Sequence, residues 1–206
     1  MSSNPALVLR PATSGDVKRL AIVLAQAFFD DPPLTWLLPD PDTRLGRINR
    51  MFATVIGIES LRYGGVDVAW GGEKILGGAI WLPPGHWQPG FREQIRAVPN
   101  HAWALAAAWG RAATYGHALE AAHPKEPHWY LKVIGVEPGW QGRGVASRLL
   151  RSRLERCDQD GHPAYLEASK PDGVSLYEHF GFQRIGNLDM PEGAPVVTAM
   201  WRPPVS

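Results

Sequence analysis

The chain has 206 residues, 45% of them hydrophobic, which suffices for one sizeable core and fits a single domain over residues 1–206. Its 21 basic and 20 acidic residues are mixed along the sequence, and the net charge of +1 with no basic block excludes an obvious nucleic-acid or membrane partner. The single Cys157 excludes an internal disulfide, Met1-Ser-Ser-Asn-Pro5 lacks an export signal and no apolar run approaches the ~20 residues of a membrane span, so we expect a cytoplasmic protein.

The first 62 residues predict a strand followed by two helices. Residues 7–10 are β-prone, and Asp16 is placed to cap a helix in which apolar residues recur from 17 to 28. An Asp-Asp-Pro-Pro sequence then ends the helix, and residues 34–38 predict a short apolar turn. Residues 44–62 carry apolar side chains on one side of a second helix.

A hairpin and a helical segment come next. Residues 66–70 and 75–82 read as strands joined through Gly71-Gly72. Residues 86–122 are rich in alanine and tryptophan and predict two or three helices. Ordinary helical packing explains this segment, and the alternative is that part of it covers a binding pocket, as long insertions often do.

The centre of the chain predicts a strand, a glycine turn and a helix. A β-branched run ends at Val136, glycines follow at 142 and 144, and apolar residues then recur at helical spacing to about Cys157. The first turn of such a helix offers unpaired backbone N–H groups to a phosphate. A P-loop is excluded because no Lys-Ser or Lys-Thr follows the glycines, and a dinucleotide fingerprint is met only loosely.

The last third predicts strands around one short helix. Residues 164–168 form a strand with Tyr165 and Glu167 on one face. Residues 169–173 look like a break, and residues 174–181 form a helix ended by glycine. Two final strands are predicted at 182–185 and 196–201.

Two phrases of the sequence resemble the GNAT superfamily of N-acetyltransferases. Gln141-x-x-Gly144-x-Ala146, directly after Val136-x-Pro138, is similar to its acyl-CoA signature, and Leu176-Tyr-Glu-x-x-Gly-Phe182 is similar to its second signature. More narrowly, His123-Pro-Lys-Glu-Pro127 and the segments near residues 166–169 and 190–193 resemble puromycin N-acetyltransferase and its bacterial relatives. The resemblance implies an α/β (α+β) GNAT fold with a mixed, mostly antiparallel sheet, a splayed central strand, helices on both faces and a helical insertion between strands 3 and 4.

Amine acetylation sets three chemical demands. An alkyl ammonium with a pKa near ~10.4 must lose a proton, the oxyanion formed from the thioester needs a hydrogen-bond donor, and the departing thiolate gains from an acid. By resemblance Tyr177 is the acid, and the alternative is a tyrosine with only a packing role. Glu167 is the first candidate base; a water chain, Glu137 and His179 remain alternatives, and His128 is more often a polar strand residue.

The resemblance also implies acetyl-CoA as co-substrate. We predict that the cofactor contacts are made by the β-strand and glycine turn together with the acid, namely Ile134, Val136, Gln141, Gly142, Arg143, Gly144, Val145, Ala146, Ser147 and Tyr177. For Arg143 a solvated side chain is an equal alternative. The relatives carry Asn where this chain has Gly173, which removes a side-chain contact from that turn. No metal is expected, because the seven histidines lack ligand spacing.

The predicted function is transfer of an acetyl group to a primary amine of a small molecule, with an aminonucleoside-type antibiotic as the acceptor suggested by resemblance. We predict substrate contacts from Asp31, Trp36 and Tyr130; for the Asp30-Asp31 pair a solvated helix end is the alternative. Two other functions stay open: acetylation of a protein N-terminus or lysine, and a non-catalytic acyl-CoA sensor. The family resemblance allows a homodimer.

Overall fold

The computed structural model describes residues 6–205, so the leading segment Met1–Pro5 and Ser206 of the predicted domain lie outside the described residues. The strands are β1 (Leu7–Pro11), β2 (Val66–Gly71), β3 (Lys74–Leu82), β4 (Trp129–Val136), β5 (Ala164–Ala168), β6 (Gln183–Asn187) and β7 (Thr198–Arg202). The helices are α1 (Val17–Ala27), α2 (Pro32–Leu37), α3 (Pro41–Thr54), α4 (Phe91–Leu105), α5 (Trp109–Ala122), α6 (Val145–Gln159) and α7 (Pro171–His179).

The seven strands form one mixed sheet in the order β1-β2-β3-β4-β5-β7-β6. Only β4 and β5 run parallel; every other neighbouring pair is antiparallel. The connection from β4 to β5 is the glycine turn followed by α6, the crossover that parallel strands require. The predicted mixed, mostly antiparallel sheet is confirmed.

The sheet opens between β4 and β5. β4 follows β3 from Tyr130 to Val136, with a bulge at Lys132, because Ile80 pairs with Val133 while Trp81 pairs with Leu131. Against β5, by contrast, β4 pairs only over 129–131. Residues 132–136 therefore have no strand neighbour on that side, which is the splay of the central strand that the resemblance implies.

Helices cover both faces of the sheet. On one face α1 and α3 pack with β2 and β3 around Leu20, Ile48, Phe52 and Ile80, all with at most 4% of their surface exposed. On the other face α6 buries Leu149, Leu150 and Leu154 against β3, β4 and β5. The apolar positions predicted for these helices therefore face the sheet, and their burial is the main driving force for this layered packing.

Three helix boundaries differ from the sequence prediction, all at prolines. Residues 32–37 form helix α2 where a turn was predicted, and α3 begins at Pro41, three residues early. α7 begins at Pro171, inside the segment predicted to be a break. In all three helices proline occupies the first turn, where it removes no intrahelical hydrogen bond and its fixed φ suits the helix. These prolines therefore begin helices, whereas the sequence prediction took them as helix breakers.

The second predicted helix changes its winding before it ends. α3 passes into a π-helical stretch over Val55–Ser60 and then a short 3-10 turn over Leu61–Tyr63. π-helical turns are uncommon and frequently lie at functional sites. Here the stretch places Glu59 beside Lys132 of the β4 bulge.

The insertion between β3 and β4 consists of two helices. α4 and α5 are joined by a tight 3-10 turn over Ala106–Ala108, in which Ala106 adopts a positive φ of 37°. Arg111 of α5 donates a hydrogen bond of 3.1 Å to the carbonyl of Leu37, which ties the insertion to α2. Among residues 6–205 no helix is both long and apolar enough to cross a membrane.

Candidate active site

A cleft of about 940 Å³ opens where β4 and β5 diverge. Its walls come from the end of α1, the free half of β4, the glycine turn, the end of β5 and α7. Eleven of the residues predicted for the site line it: Asp31, Ile134, Val136, Gln141, Gly142, Gly144, Val145, Ala146, Ser147, Glu167 and Tyr177. The elements that the sequence separates widely therefore meet in one hollow.

The free edge of β4 forms one wall of the cleft. The carbonyl of Val136 points away from β3, because it accepts a hydrogen bond of 3.2 Å from the side chain of Gln141. Main-chain groups of alternate residues point the same way along a strand, so Ile134 presents its N–H and C=O to the cleft as well. Gln141 thus holds the glycine turn against β4, and its amide is engaged within the protein.

The glycine turn leads into α6 through two left-handed residues. Gly142 and Gly144 have φ of 73° and 79°, and a Cβ on either would meet no atom within 4 Å. Both glycines are therefore required by backbone conformation, while the space beside them is open. The first intrahelical hydrogen bond of α6 runs from the Arg148 amide to the Gly144 carbonyl. The amides of Val145, Ala146 and Ser147, which precede it and line the cleft, therefore have no intrahelical acceptor. The macrodipole of the helix favours an anion at this position.

Tyr177 enters the cleft from α7. Its ring rests edge-on against Phe182, with centroids 6.0 Å apart, and lies beside Gly173. Burial, with a smaller contribution from the negative charge of Asp31, raises the pKa of the Tyr177 phenol to about 12. The phenol is therefore protonated throughout the neutral range and able to donate a hydrogen bond or a proton.

Asp31 is a buried carboxylate, 4% exposed, at the start of α2. It accepts a hydrogen bond of 2.6 Å from the hydroxyl of Ser169, which follows β5. Burial raises the pKa of Asp31, against the opposing effects of Ser169 and Lys170. The carboxylate is thus held at the cleft by Ser169 and by the backbone of Leu34.

Glu167 is a second carboxylate of the cleft, and its side chain is 7% exposed. Its Oε2 accepts a hydrogen bond of 2.6 Å from Tyr130, whose pKa is raised by burial and by the Glu167 charge. Its Oε1 is buried and has no hydrogen-bond partner among residues 6–205. Nδ1 of His123 lies 3.6 Å from Oε1.

Tyr130, Trp36 and Arg143 were predicted for the site but do not line the cleft. Tyr130 lies behind Glu167 and reaches the cleft only through that carboxylate. Trp36 packs on the insertion, with its ring 6.1 Å from that of Tyr115. The Arg143 guanidinium lies 4.9 Å from the ring centre of Trp140.

The alternative bases lie in different surroundings. His128 is 4% exposed, donates from Nδ1 to the carbonyl of Glu126, and burial lowers its pKa. His179 is an exposed residue of α7 that packs against Phe180. Glu137 borders a separate, shallow groove beside Asp30. Among these four carboxyl and imidazole groups, Glu167 is the one that lines the main cleft.

Lys132, which was not predicted for the site, also lines the cleft at the β4 bulge. Its ammonium lies 3.0 Å from Oε2 of Glu59, and His101 of α4 lies 2.6 Å from Oε1 of the same carboxylate. Burial disfavours the Glu59 charge, but Lys132 and His101 outweigh burial and lower the Glu59 pKa to about 2. The three residues connect the insertion, the π-helical stretch and the central strand.

Sequence reasoning also missed Ser169, His123 and Tyr115. Ser169 directly follows the predicted strand 164–168 and lies two residues after Glu167. The sequence alone therefore allowed the prediction that both side chains lie at the same end of the strand. His123 and Tyr115 belong to the insertion or its exit, whose placement depends on tertiary packing. Burial raises the pKa of Tyr115 in α5, and the charges of Asp31 and Glu167 add to the effect.

No group of three or more His, Cys, Asp or Glu side chains that could hold a metal ion occurs within the described part of the chain, residues 6–205. The donors present in the cleft are instead backbone amides, a phenol and carboxylates. Such a set can bind a diphosphate at the glycine turn, an ammonium at the carboxylates and a polarised sulfur or carbonyl between them.

Comparison with known proteins agrees with this geometry. Residues 64–182, more than half of the chain, match the acetyltransferase (GNAT) family model. An N-acetyltransferase of Schizosaccharomyces pombe is 28% identical over 181 residues, which cover 81% of this chain and 70% of the relative.

Two solved structures share the architecture over nearly their whole length. The crystal structure of histone acetyltransferase HPA2 and related acetyltransferase from Corynebacterium glutamicum is 28% identical and has a TM-score of 0.74, with 99% of this chain and 98% of that chain covered. Polyamine N-acetyltransferase of Drosophila melanogaster, at 17% identity, shares the fold with a TM-score of 0.65 over 96% of this chain and 100% of its own. With the family match over residues 64–182, these findings establish that this chain belongs to the GNAT family of N-acetyltransferases, enzymes of the acyltransferase class.

Proposed function

We propose that this chain transfers the acetyl group of acetyl-CoA directly to a primary amine of a small molecule. The observation that carries the proposal is that one cleft contains the amides at the start of α6, the free edge of β4, the Tyr177 phenol and the carboxylates of Asp31 and Glu167. Each of these meets one chemical demand of acetyl transfer. A binding module without turnover would not need the phenol or the carboxylates.

The donor half of the cleft fits CoA. The amides of Val145, Ala146 and Ser147 would hold the diphosphate, and the left-handed Gly142 and Gly144 let it approach the main chain. The pantetheine arm would then run along the free edge of β4, with main-chain contacts to Val136. On this path the thioester comes to lie between the β4 edge and Tyr177.

The reaction needs a proton acceptor, an oxyanion donor and an acid. Glu167 would take a proton from the ammonium, so that the free amine attacks the thioester carbon. The main-chain N–H of Ile134 would stabilise the oxyanion, and Tyr177 would protonate the departing thiolate. With its pKa raised to about 12, the Tyr177 phenol starts each turnover protonated.

The acceptor half of the cleft favours a small cationic amine. Two carboxylates, Asp31 and Glu167, face it, and a Coulombic attraction to an ammonium ion in a partly buried site is stronger than in water. Burial and the charges of Asp31 and Glu167 raise the pKa of Tyr115 of α5, and Arg111 ties α5 to α2, which supports an acceptor site that the insertion helps to enclose. An enclosed pocket would suit a small molecule better than a protein segment.

The identity of the amine is a further part of the proposal. An aminonucleoside-type antibiotic is suggested by the sequence resemblance, and the aromatic insertion provides rings for such a ligand. The polyamine enzyme that shares the fold points to polyamines, and the HPA2 relative, described as a histone acetyltransferase, points to a protein acceptor. We place the enzyme in the cytoplasm, and the homodimer that the family resemblance allows stays a prediction.

Incubation of the purified chain with acetyl-CoA and a panel of amines tests the proposal. The panel should contain an aminonucleoside, aliphatic polyamines, arylalkylamines and a lysine-containing peptide, with thiol release and the acetylated product measured together. We expect equal amounts of free CoA and acetylated small amine. Acetylation of the peptide alone would support the protein acceptor, and CoA binding without release of thiol would support the sensor function; either result contradicts the proposal.

A further inference from the structure

A chain of hydrogen bonds behind Glu167 fixes the tautomers of two buried histidines. Nδ1 of His128 lies 2.5 Å from the carbonyl oxygen of Glu126, which can only accept, so Nδ1 carries the proton. Burial lowers the pKa of His128 and keeps the ring neutral, so its Nε2 is an acceptor. Nε2 of His123 lies 3.0 Å from this acceptor and must therefore carry a proton itself.

The remaining nitrogen of His123 then faces the cleft carboxylate with a lone pair. In neutral His123 the proton on Nε2 leaves Nδ1 unprotonated, and Nδ1 lies 3.6 Å from Oε1 of Glu167. Oε1 is a buried atom that no donor among residues 6–205 satisfies. Two acceptors that face each other in a buried site repel until one proton lies between them.

The groups around this contact come from four elements. Tyr130 of β4 donates to the other oxygen of Glu167. The Tyr165 ring of β5 packs edge-on against His123 at 5.0 Å, and its phenol interacts with Glu167, so that burial and the Glu167 charge raise the Tyr165 pKa. Trp87, in the segment before α4, stacks on His123 with ring centres 3.9 Å apart. Burial and the charges of Asp31 and Glu167 raise the pKa of Tyr115 of α5. These groups are phenols, rings and the neutral His128, so Nδ1 of His123 and Oε1 of Glu167 are the two atoms with capacity to accept a proton.

We propose that His123 is a positioning residue for the base, and that Glu167 and His123 together take the proton of the acceptor amine. This inference rests on the proposed acetyl transfer. The ammonium N–H bond breaks and the proton is bound at Oε1 of Glu167, where Nδ1 of His123 shares it. The free amine then forms the C–N bond, the C–S bond breaks, and sulfur takes the proton of Tyr177.

The remaining protons balance. The newly formed amide loses its second proton to the Tyr177 phenolate, which restores the phenol. The proton held between Glu167 and His123 leaves to solvent with the product. One ammonium and one thioester therefore give one amide, one thiol and one released proton, with no further reactant.

The tautomer can be measured without any activity. Long-range proton–nitrogen spectra of the chain with ¹⁵N-labelled histidine, recorded at about pH 8, should show His123 with a proton fixed on Nε2 and none fixed on Nδ1. The signals are assigned by their loss in His123→Asn. A proton fixed on Nδ1 with a bare Nε2 would reverse the hydrogen-bond chain and overturn the inference.

The pH dependence of turnover separates proton transfer from packing. Near pH 7 we expect kcat of His123→Phe to be about 100-fold below that of the wild type. Near pH 9.5 this difference in kcat should narrow to under about tenfold, because the free amine is roughly 300 times more abundant there than at pH 7. His123→Asn should behave alike, since its amide keeps a polar group near Nδ1 but cannot take a proton. KM for acetyl-CoA should not change, because the CoA contacts are elsewhere in the cleft.

His117→Phe is the matched control, since His117 is exposed on α5, and its profile should equal that of the wild type. Thermal melting establishes that each variant is folded. A loss of activity that is the same at both pH values, in both His123 variants, would indicate a packing role and overturn the inference. If the wild type acetylates no amine of the panel, the proposed function itself fails, which is a different result from an active wild type with an unaffected His123 variant.

Discussion

The carboxylate of Asp31 accepts a 2.6 Å hydrogen bond from Ser169, although the two residues are 138 positions apart in the chain. The bond joins the start of α2 to the end of β5 across the mouth of the cleft. It places a buried negative charge beside Tyr177, whose pKa responds to that charge. The acceptor pocket and the proposed acid are thus parts of one electrostatic unit.

Replacement of Tyr177 by Phe removes the proposed acid and keeps the ring that packs on Phe182. We expect kcat to fall about 100-fold, because the thiolate then leaves without a proton donor, while the dissociation constant of acetyl-CoA stays within about twofold. Steady-state kinetics and calorimetric titration with acetyl-CoA measure the two effects. Tyr63→Phe, outside the cleft, is the matched control. Unchanged turnover in Tyr177→Phe would remove this residue from the mechanism.

Replacement of Asp31 by Asn tests the charge that receives the amine. We expect KM for the acceptor to rise at least about tenfold with KM for acetyl-CoA unchanged, because a desolvated charge pair with the ammonium is lost. Asp30→Asn is the matched control, since its neighbouring carboxylate is exposed and borders a different groove. Equal acceptor KM values for the two variants would show that Asp31 does not hold the amine.

The same buried carboxylate affects stability in a defined direction. Burial raises the Asp31 pKa, so between the ordinary value of 3.8 and the raised value the folded chain binds a proton that the unfolded chain has lost. The contribution of Asp31 to stability therefore decreases as the pH rises through that interval. Over this range the stability of the wild type relative to Asp31→Asn should therefore decrease as the pH rises, which melting curves of the two proteins measure. A parallel course of the two proteins would contradict the raised pKa.

The contribution of Glu59 to stability should depend on pH in the opposite direction. Despite burial, Lys132 and His101 lower its pKa from 4.5 to about 2, so the charged carboxylate stabilises the fold above the ordinary value, and this contribution is lost as the pH falls through that range. Glu59→Gln removes the buried negative charge that faces Lys132 and His101, and we expect a loss of about 3 kcal/mol in the free energy of unfolding near pH 7. Urea denaturation measures it. Glu155→Gln on the exposed side of α6 should change the free energy by less than about 0.5 kcal/mol.

Replacement of Gly144 by Ala tests whether the glycine turn binds the diphosphate of acetyl-CoA. A Cβ at this position would contact no atom within 4 Å, so the cost of Gly144→Ala comes from the left-handed φ of 79°. We expect a loss of about 1 kcal/mol in stability and an increase of about tenfold in KM for acetyl-CoA, because the turn relaxes away from the diphosphate. Gly46→Ala in α3, which also has free space, should instead stabilise the chain by up to about 1 kcal/mol. An unchanged KM in Gly144→Ala would argue against diphosphate binding at this turn.

Local patterns predicted the parts of the fold that depend on local rules. The β-branched run of β4, the two glycines and the spacing of Val145, Leu149 and Leu150 predict a strand, a turn and a helix, and the structure has them there as β4, the glycine turn and α6. The capping of the first helix is likewise local: Asp16 accepts a 2.7 Å hydrogen bond from the Thr13 amide. The GNAT architecture and the enzyme class, which the resemblance to two family signatures implied, are confirmed.

Long-range contacts could not be predicted from one sequence. The bonds of Ser169 to Asp31 and of Lys132 to Glu59 join residues 138 and 73 positions apart, and no periodicity encodes them. Trp36 was expected at the substrate and lies instead against the insertion, because the path of α5 is set by tertiary packing. The starts of α2 and α7 were predicted wrongly because their prolines were read as helix breakers. Proline in the first turn of a helix is as favourable as proline after its end.

A crystal structure of the chain with acetyl-CoA is the most direct test of the account. We expect the diphosphate to accept hydrogen bonds from the amides of Val145, Ala146 and Ser147, at about 2.9 Å, with the sulfur within reach of the Tyr177 hydroxyl and the pantetheine arm along the free edge of β4. A cofactor bound outside this cleft, or a Tyr177 phenol that turns away from the sulfur, would contradict it.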